Sequence, residues 1–160
     1  MKNTALSVFA LAAVAAFSGC ANLSESRSVT AARATMAAEI QAEKPGNYFI
    51  ARRYYKIDYK FWGYVRSPGQ PWTSAKLVML NENKHLAPDR EGGTLGVDNG
   101  YEYKLFGTFS GETIYEPASN GFYPEFVLTG YELRHATPAP IFNPLSPALD
   151  PTRRVIMTPF

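Results

Sequence analysis

The stretch Tyr55-Lys56-Ile57-Asp58-Tyr59-Lys60-Phe61-Trp62-Gly63-Tyr64-Val65-Arg66 decides how this chain is read. Tyr55, Ile57, Tyr59, Phe61, Gly63 and Val65 fall on one side of a two-residue period, and Lys56, Asp58, Lys60, Trp62, Tyr64 and Arg66 on the other. This alternation predicts a long strand over 55–66 with one apolar and one mixed face. Ser67-Pro68-Gly69-Gln70-Pro71 then closes it as a turn.

Working outward, Ala75 to Asn81 reads as a second strand, with Leu77-Val78-Met79-Leu80 apolar on both sides. A polar loop follows from Asn83 to Gly100. Tyr101 to Ser110 alternates again, and Phe109-Ser110-Gly111-Glu112-Thr113-Ile114 has the residues of a hairpin turn. Pro117 to Gly121 is a further connection, and Phe126 to Leu133 a closing strand. Gly63, Gly107 and Gly130 fall within strands, where glycine permits coiling or a bulge. The expected architecture is all-β: a small closed or partly open barrel of about five strands. Between residues 55 and 134 this order of events resembles an OB-fold. A β-sandwich or a lipocalin-like barrel is the alternative.

On the amino-terminal side, Ser24 to Lys44 is alanine-rich, with Val29, Ala32, Met36 and Ile40 near helical spacing and Lys44-Pro45-Gly46 as a stop. That predicts a helical stalk. Ahead of it, Lys2 and the apolar run Ala5 to Phe17 end at Ser18-Gly19-Cys20, around the only cysteine of the chain. An apolar run of this length is short for a membrane span, which needs about 20 residues. The pattern resembles the lipobox of bacterial lipoproteins, which implies a signal peptide over 1–19 and acylation of Cys20 at sulfur. Because Ala21 is not aspartate, that resemblance implies an outer-membrane address facing the periplasm. The expected organisation is then an anchor and stalk over 20–46, a barrel over 47–135 and a proline-rich tail over 136–160. Six of the twelve prolines lie from Pro138 to Pro159, with Ile141, Phe142, Leu145 and Leu149 as apolar anchors for packing on the barrel or meeting a partner.

Removing residues 1–19 takes away Lys2 and no acid, leaving 15 basic against 14 acidic side chains. That balance argues against a nucleic-acid partner. Aromatic residues make up 14% of the chain, so packing rather than disulfides must stabilise it.

Two places carry candidate binding residues. One is the mixed face around Lys56, Lys60, Trp62, Tyr64, Arg66 and Trp72, where aromatic platforms sit beside cations. The competing reading is that Trp62 and Tyr64 cover the barrel or meet the helix. The other is the aromatic- and proline-dense run Tyr115 to Phe126, including Asn120, Phe122 and Tyr123, read either as a recognition loop or as a turn over the core. His85 and His135 form no ligand-spaced pair, Ser119 lacks a nucleophile elbow, and Asp89, Glu91, Asp98 and Asn99 fit no calcium loop and read as solvated acids. No cofactor or metal is expected. The expected function is a membrane-tethered binding or scaffold module for another envelope component, a protein before a glycan; an enzyme whose site is scattered through the sequence is the alternative. A purely structural envelope lipoprotein is a further alternative.

Overall fold

The computed structural model describes the backbone of residues 19–160 and the side chains of Arg27 and of Val29 onward. The expected signal peptide and the acylated sulfur of Cys20 lie outside the described residues. Five strands close a barrel: β1 (Phe49–Arg53), β2 (Gly63–Arg66), β3 (Lys76–Asn81), β4 (Glu102–Glu116) and β5 (Gly121–His135). Their order is β1-β2-β3-β5-β4, and β4 pairs back onto β1. All neighbours are antiparallel except β3 and β5, which run parallel from Met79↔Glu125 to Asn81↔Val127. The OB-fold-like barrel expected from the sequence is therefore present.

One element of that expectation is corrected. Residues 55–66 do not form a single strand. The chain leaves β1 at Arg53, turns through 54–62 and re-enters the sheet as β2, so that Ile50 pairs with Arg66 and Arg53 with Gly63. The alternation of residue types is not matched by burial. The 54–62 loop has no such period: Ile57 and Asp58 are exposed in succession, while Phe61 and Trp62 are both buried, Phe61 in the outer core and Trp62 inside the barrel. Lys56 is buried and Ile57 exposed, the reverse of the expected faces.

The hairpin expected at 109–114 is also absent. β4 runs straight through it, with a register shift between Phe109 and Thr113, and the turn comes at Pro117–Asn120. Gly107 marks another shift in the same pairing. Its φ is +148°, and an added Cβ would stand 2.1 Å from the Val127 carbonyl oxygen, so only glycine fits.

The interior of the barrel is filled by Ala51, Val65, Val78, Leu105, Phe126 and Leu128, with Trp62 and Tyr103. Phe49, Phe109 and Phe126 meet edge to face at 5.2–5.5 Å toward one end. Toward the other, the 82–101 loop and its short helix α2 (Pro88–Glu91) are pinned by Arg53. Its guanidinium donates to Asp89 at 2.6 Å and Asp98 at 3.3 Å. Both acids are buried, which corrects their reading as solvated loop acids. Burial pushes the Asp98 carboxyl up, with Arg53 opposing and Asp89 adding to the rise.

A second core lies outside the barrel, on the outer face of β1, β2 and β3. Ile50, Tyr54, Tyr64 and Leu77 pack there with Phe61 and Trp72. Two elements cover them. The first is the helix α1 (Gly19–Gln41), which docks through Met36 and Ile40, two residues of the stripe seen in the sequence. The second is the tail, through Ile141, Phe142 and Ala148. Leu145 and Leu149, the other two expected anchors, are exposed.

Candidate functional site

The first candidate surface is the outer face of β1–β2–β3. An extended chain with six prolines offers carbonyl acceptors and few N–H donors, so a partner surface must supply donors. The barrel does so. The Tyr54 hydroxyl donates to the Val155 carbonyl at 2.9 Å, Tyr59 to Arg154 at 2.7 Å and Tyr64 to Met157 at 2.6 Å. Lys56 Nζ donates to the Asp150 carbonyl at 2.7 Å, and the Ile57 amide to Pro151 at 3.0 Å. Asn99 Nδ2 reaches Leu149 at 2.7 Å, and Arg52 reaches Ala139 at 2.9 Å. Phe142 packs against both the Tyr54 and Tyr64 rings, with centroids at 5.2 and 5.8 Å.

Burial pushes the Tyr64 hydroxyl well above its ordinary value, with Tyr54 and Tyr123 adding to the shift. Burial lowers Lys56, with Asp150 opposing. These are the marks of a covered face.

The sequence-derived candidates can now be placed. Trp62, at 4% exposure, is inside the barrel, while Tyr64, at 5%, faces the tail. Trp72, at 1%, packs against the guanidinium groups of Arg66 and Arg52, whose carbons lie 4.4 and 5.2 Å from its ring. Arg66 is bound bidentately to Glu43, just beyond α1, at 2.7 Å to each oxygen. Arg134 links the same Glu43 to Glu102 at 3.1 and 2.8 Å, and Arg52 completes the chain to Glu102 at 2.7 Å. Burial tends to raise the Glu43 carboxyl, but Arg66, the Gly69 amide and Arg134 hold it below its ordinary value. Of the six residues first grouped on this face, Lys60 alone is exposed. The mixed face is not an open binding surface in this structure, because the protein's own tail and helix occupy it.

The second candidate surface is the tip of the β4–β5 hairpin. Past the β3–β5 ladder the two strands continue as a pair from Thr113↔Pro124 to Glu116↔Gly121. Cross-strand partners share a face. Ile114 and Tyr123 point toward the 54–62 loop, where Tyr123 meets the Phe61 ring at 5.6 Å and its hydroxyl donates to Ser119 Oγ at 2.9 Å. Tyr115 and Phe122 point the other way, 46% and 69% exposed, with ring centroids 5.2 Å apart. The Tyr115 hydroxyl donates to Asn120 Oδ1 at 2.9 Å, and Asn120 takes the left-handed φ of +51° that closes the turn.

The buried Glu116 carboxylate accepts from the Ser119 amide at 2.7 Å, Ala118 at 3.2 Å and the Lys60 amide. Burial tends to raise its carboxyl, and these donors together bring it below the ordinary range. The tip is thus held to the 54–62 loop and presents a fixed aromatic pair. Of the four residues expected there, Tyr115, Asn120 and Phe122 come together, while Tyr123 serves the packing beneath.

A cavity of about 290 Å³ lies between the tail and the barrel, lined by Arg52, Asn99, Ile141, Phe142 and Leu149 among others. Its one charged side chain, Arg52, is already committed to Glu102 and the Ala139 carbonyl. Among the described residues, no group of three or more His, Cys, Asp or Glu is placed to hold a metal ion. Nothing local in the sequence marks Arg52, Tyr59 and Asn99 as tail clamps, since their partners lie 50 to 95 residues away.

No family model, curated protein or solved structure matches this chain.

Proposed function

We propose that this chain is a membrane-tethered binding module of the bacterial envelope, and that its working surface is the β4–β5 hairpin tip. The anchor is the acylated Cys20, and the address is the outer membrane facing the periplasm. The observation that carries this reading is the Tyr115–Phe122 pair. It stays exposed on a rigid hairpin while the comparable aromatic residues around Trp62, Tyr64 and Trp72 are covered. Solvent-facing rings held in place contribute large contact area at little entropic cost, the property of protein-binding hot spots.

The helix supports the same reading. Met36 is its buried contact with the barrel, and sixteen residues separate it from Cys20. At about 1.5 Å per residue, that length sets the barrel roughly 24 Å from the anchor. Among the described residues no helix is long and apolar enough to cross a membrane. Attachment in this reading rests on the lipid, whose two or three chains hold far more firmly than one.

The test is photo-crosslinking in intact envelopes with a photoreactive phenylalanine at position 122. A second probe at Thr152, on the exposed tail surface, serves as control. A specific protein adduct at 122 that is absent at 152, and absent after Tyr115→Ala, supports the reading. Equal labelling at both positions, or none at 122, removes the tip as the working surface. A tip that retains glycan but no protein reassigns the module to glycan binding.

A further inference from the structure

The tail is held in a way that does not depend on which chain it belongs to. The donors from the barrel reach its backbone carbonyls, so they read an acceptor-rich extended segment rather than particular side chains. Specificity comes from tail side chains: Ile141 and Phe142 pack against Tyr54 and Tyr64, Ala148 is buried in the same cluster, and Arg154 donates to Asp58 at 2.7 Å. The tail also forms a unit of its own. The Phe160 amide donates to the Ile141 carbonyl at 3.0 Å, and short turns at Asn143–Ser146 and Pro147–Asp150 shape the path between. It runs along the barrel from Arg52 to Asn99 and Lys56, then returns past Tyr54 to Tyr64.

The only covalent link between this unit and the barrel is the segment 136–140, which joins the end of β5 at His135 to the first buried anchor, Ile141. It has no regular secondary structure, and Ala136, Thr137 and Pro140 are exposed. Releasing the unit uncovers Tyr54, Phe61, Tyr64 and Leu77 together, an apolar face that needs an occupant. The one segment known to match its donors and its pocket is this same tail.

We propose that the outer face of β1–β2–β3 is an exchangeable peptide groove, and that a second copy of this chain supplies the competing tail, residues 141–160. In the exchanged state each barrel holds its neighbour's tail by the hydrogen bonds and ring packing that now hold its own. The two states are then alike in these interactions, and the balance is set by the effective concentration of the attached tail against that of neighbouring copies. The link 136–140 is the control element: shortening it penalises the closed state and leaves the exchanged state intact. This surface is separate from the hairpin tip.

The experiment uses the full chain in membranes, co-expressed as two differently tagged copies. Photoreactive phenylalanine replaces Tyr59 in one copy, keeping a ring beside Arg154. The expected result is a covalent adduct joining the two tags, mapped to residues 150–157 of the other copy. Its yield should rise about tenfold when Ala136 and Thr137 are deleted from both copies and should be unaffected by Phe122→Ala. Intrachain adducts alone, at every expression level and with the shortened link, overturn the proposal. If the shortened protein fails to fold, the full-length pair decides alone: an inter-tag adduct at 150–157 supports exchange, and its absence at high expression rejects it.

Discussion

The outer face of β1–β2–β3 and the tip of the β4–β5 hairpin are built from the same kind of residue and end in opposite states. Each gathers tyrosine and phenylalanine near a tight connection, and each touches the 54–62 loop through Phe61. On the first, the tail and α1 bury Tyr54, Tyr64 and Trp72 beneath apolar anchors and backbone-directed hydrogen bonds. On the second, Tyr115 and Phe122 stay exposed among the described residues. The difference lies in what else the chain brings to each place. Glu116 ties the tip to the 54–62 loop from below and leaves its outer side alone. The three-strand face receives a helix from one end of the sequence and a proline-rich tail from the other. An aromatic cluster beside cations is therefore a core or a binding surface according to distant segments.

Substitutions in the two regions should separate accordingly. The largest effect is expected for Trp72→Ala, which removes a fully buried ring packed against two guanidinium groups and should cost about 4 kcal/mol in urea unfolding. A loss below about 1 kcal/mol would mean that the face is far looser than its burial implies. Glu43→Gln comes next. It leaves Arg66 and Arg134 without their shared carboxylate and should cost about 3 kcal/mol at neutral pH.

The pH dependence follows from the lowered carboxyls. Glu43 and Glu116 titrate below the unfolded value of 4.5, so their contribution is complete above that pH and is lost as pH falls through the folded values. Acid unfolding of the Glu43→Gln protein should accordingly show a shallower loss below about pH 4.5 than the parent. An unchanged slope would assign the acid sensitivity elsewhere.

Tyr64→Phe isolates a single tail clamp. Losing the hydroxyl that donates to Met157 should cost about 1 kcal/mol, with earlier proteolytic cutting of the tail as a second readout. Phe122→Ala closes the series. Its effect on stability should stay under about 0.5 kcal/mol, while crosslinks from the tip to a partner should disappear. A large stability loss here would erase the contrast between the regions and make the tip part of the core.

Particular residues explain what was legible. Leu77 to Leu80 and Phe126 to Leu133 announced strands because their apolar density is local. The stripe Val29, Ala32, Met36, Ile40 marks a helix for the same reason, but it reads as a solvated stalk, whereas Met36 and Ile40 dock on the barrel. Tyr55 to Trp62 form a loop despite their alternating residue types, because the carboxy-terminal tail and the barrel interior, not a strand ladder, decide which of them are buried. The hairpin at 109–114 misled because Gly111 and Ser110 serve an irregular stretch within a long strand rather than a turn. Asp89 and Asp98 carry no local mark of burial, because Arg53, which pairs with both, lies 36 and 45 residues away in sequence. For the site, Tyr115, Asn120 and Phe122 are close in sequence and were found together, whereas Tyr59 and Arg154 are 95 residues apart and were not.

By itself the sequence determined the all-β barrel and the helical segment before it, because periodicity and turn chemistry act over a few residues. It also placed a proline-rich tail that forms neither helix nor strand, since proline removes the donors both require. Only the tertiary structure decided which aromatic surface is free. Whether Tyr64 meets solvent or Phe142 depends on where a segment nearly eighty residues later comes to rest. Burial there is set by long-range packing and by donors matched to that segment's carbonyls, quantities that no local pattern encodes.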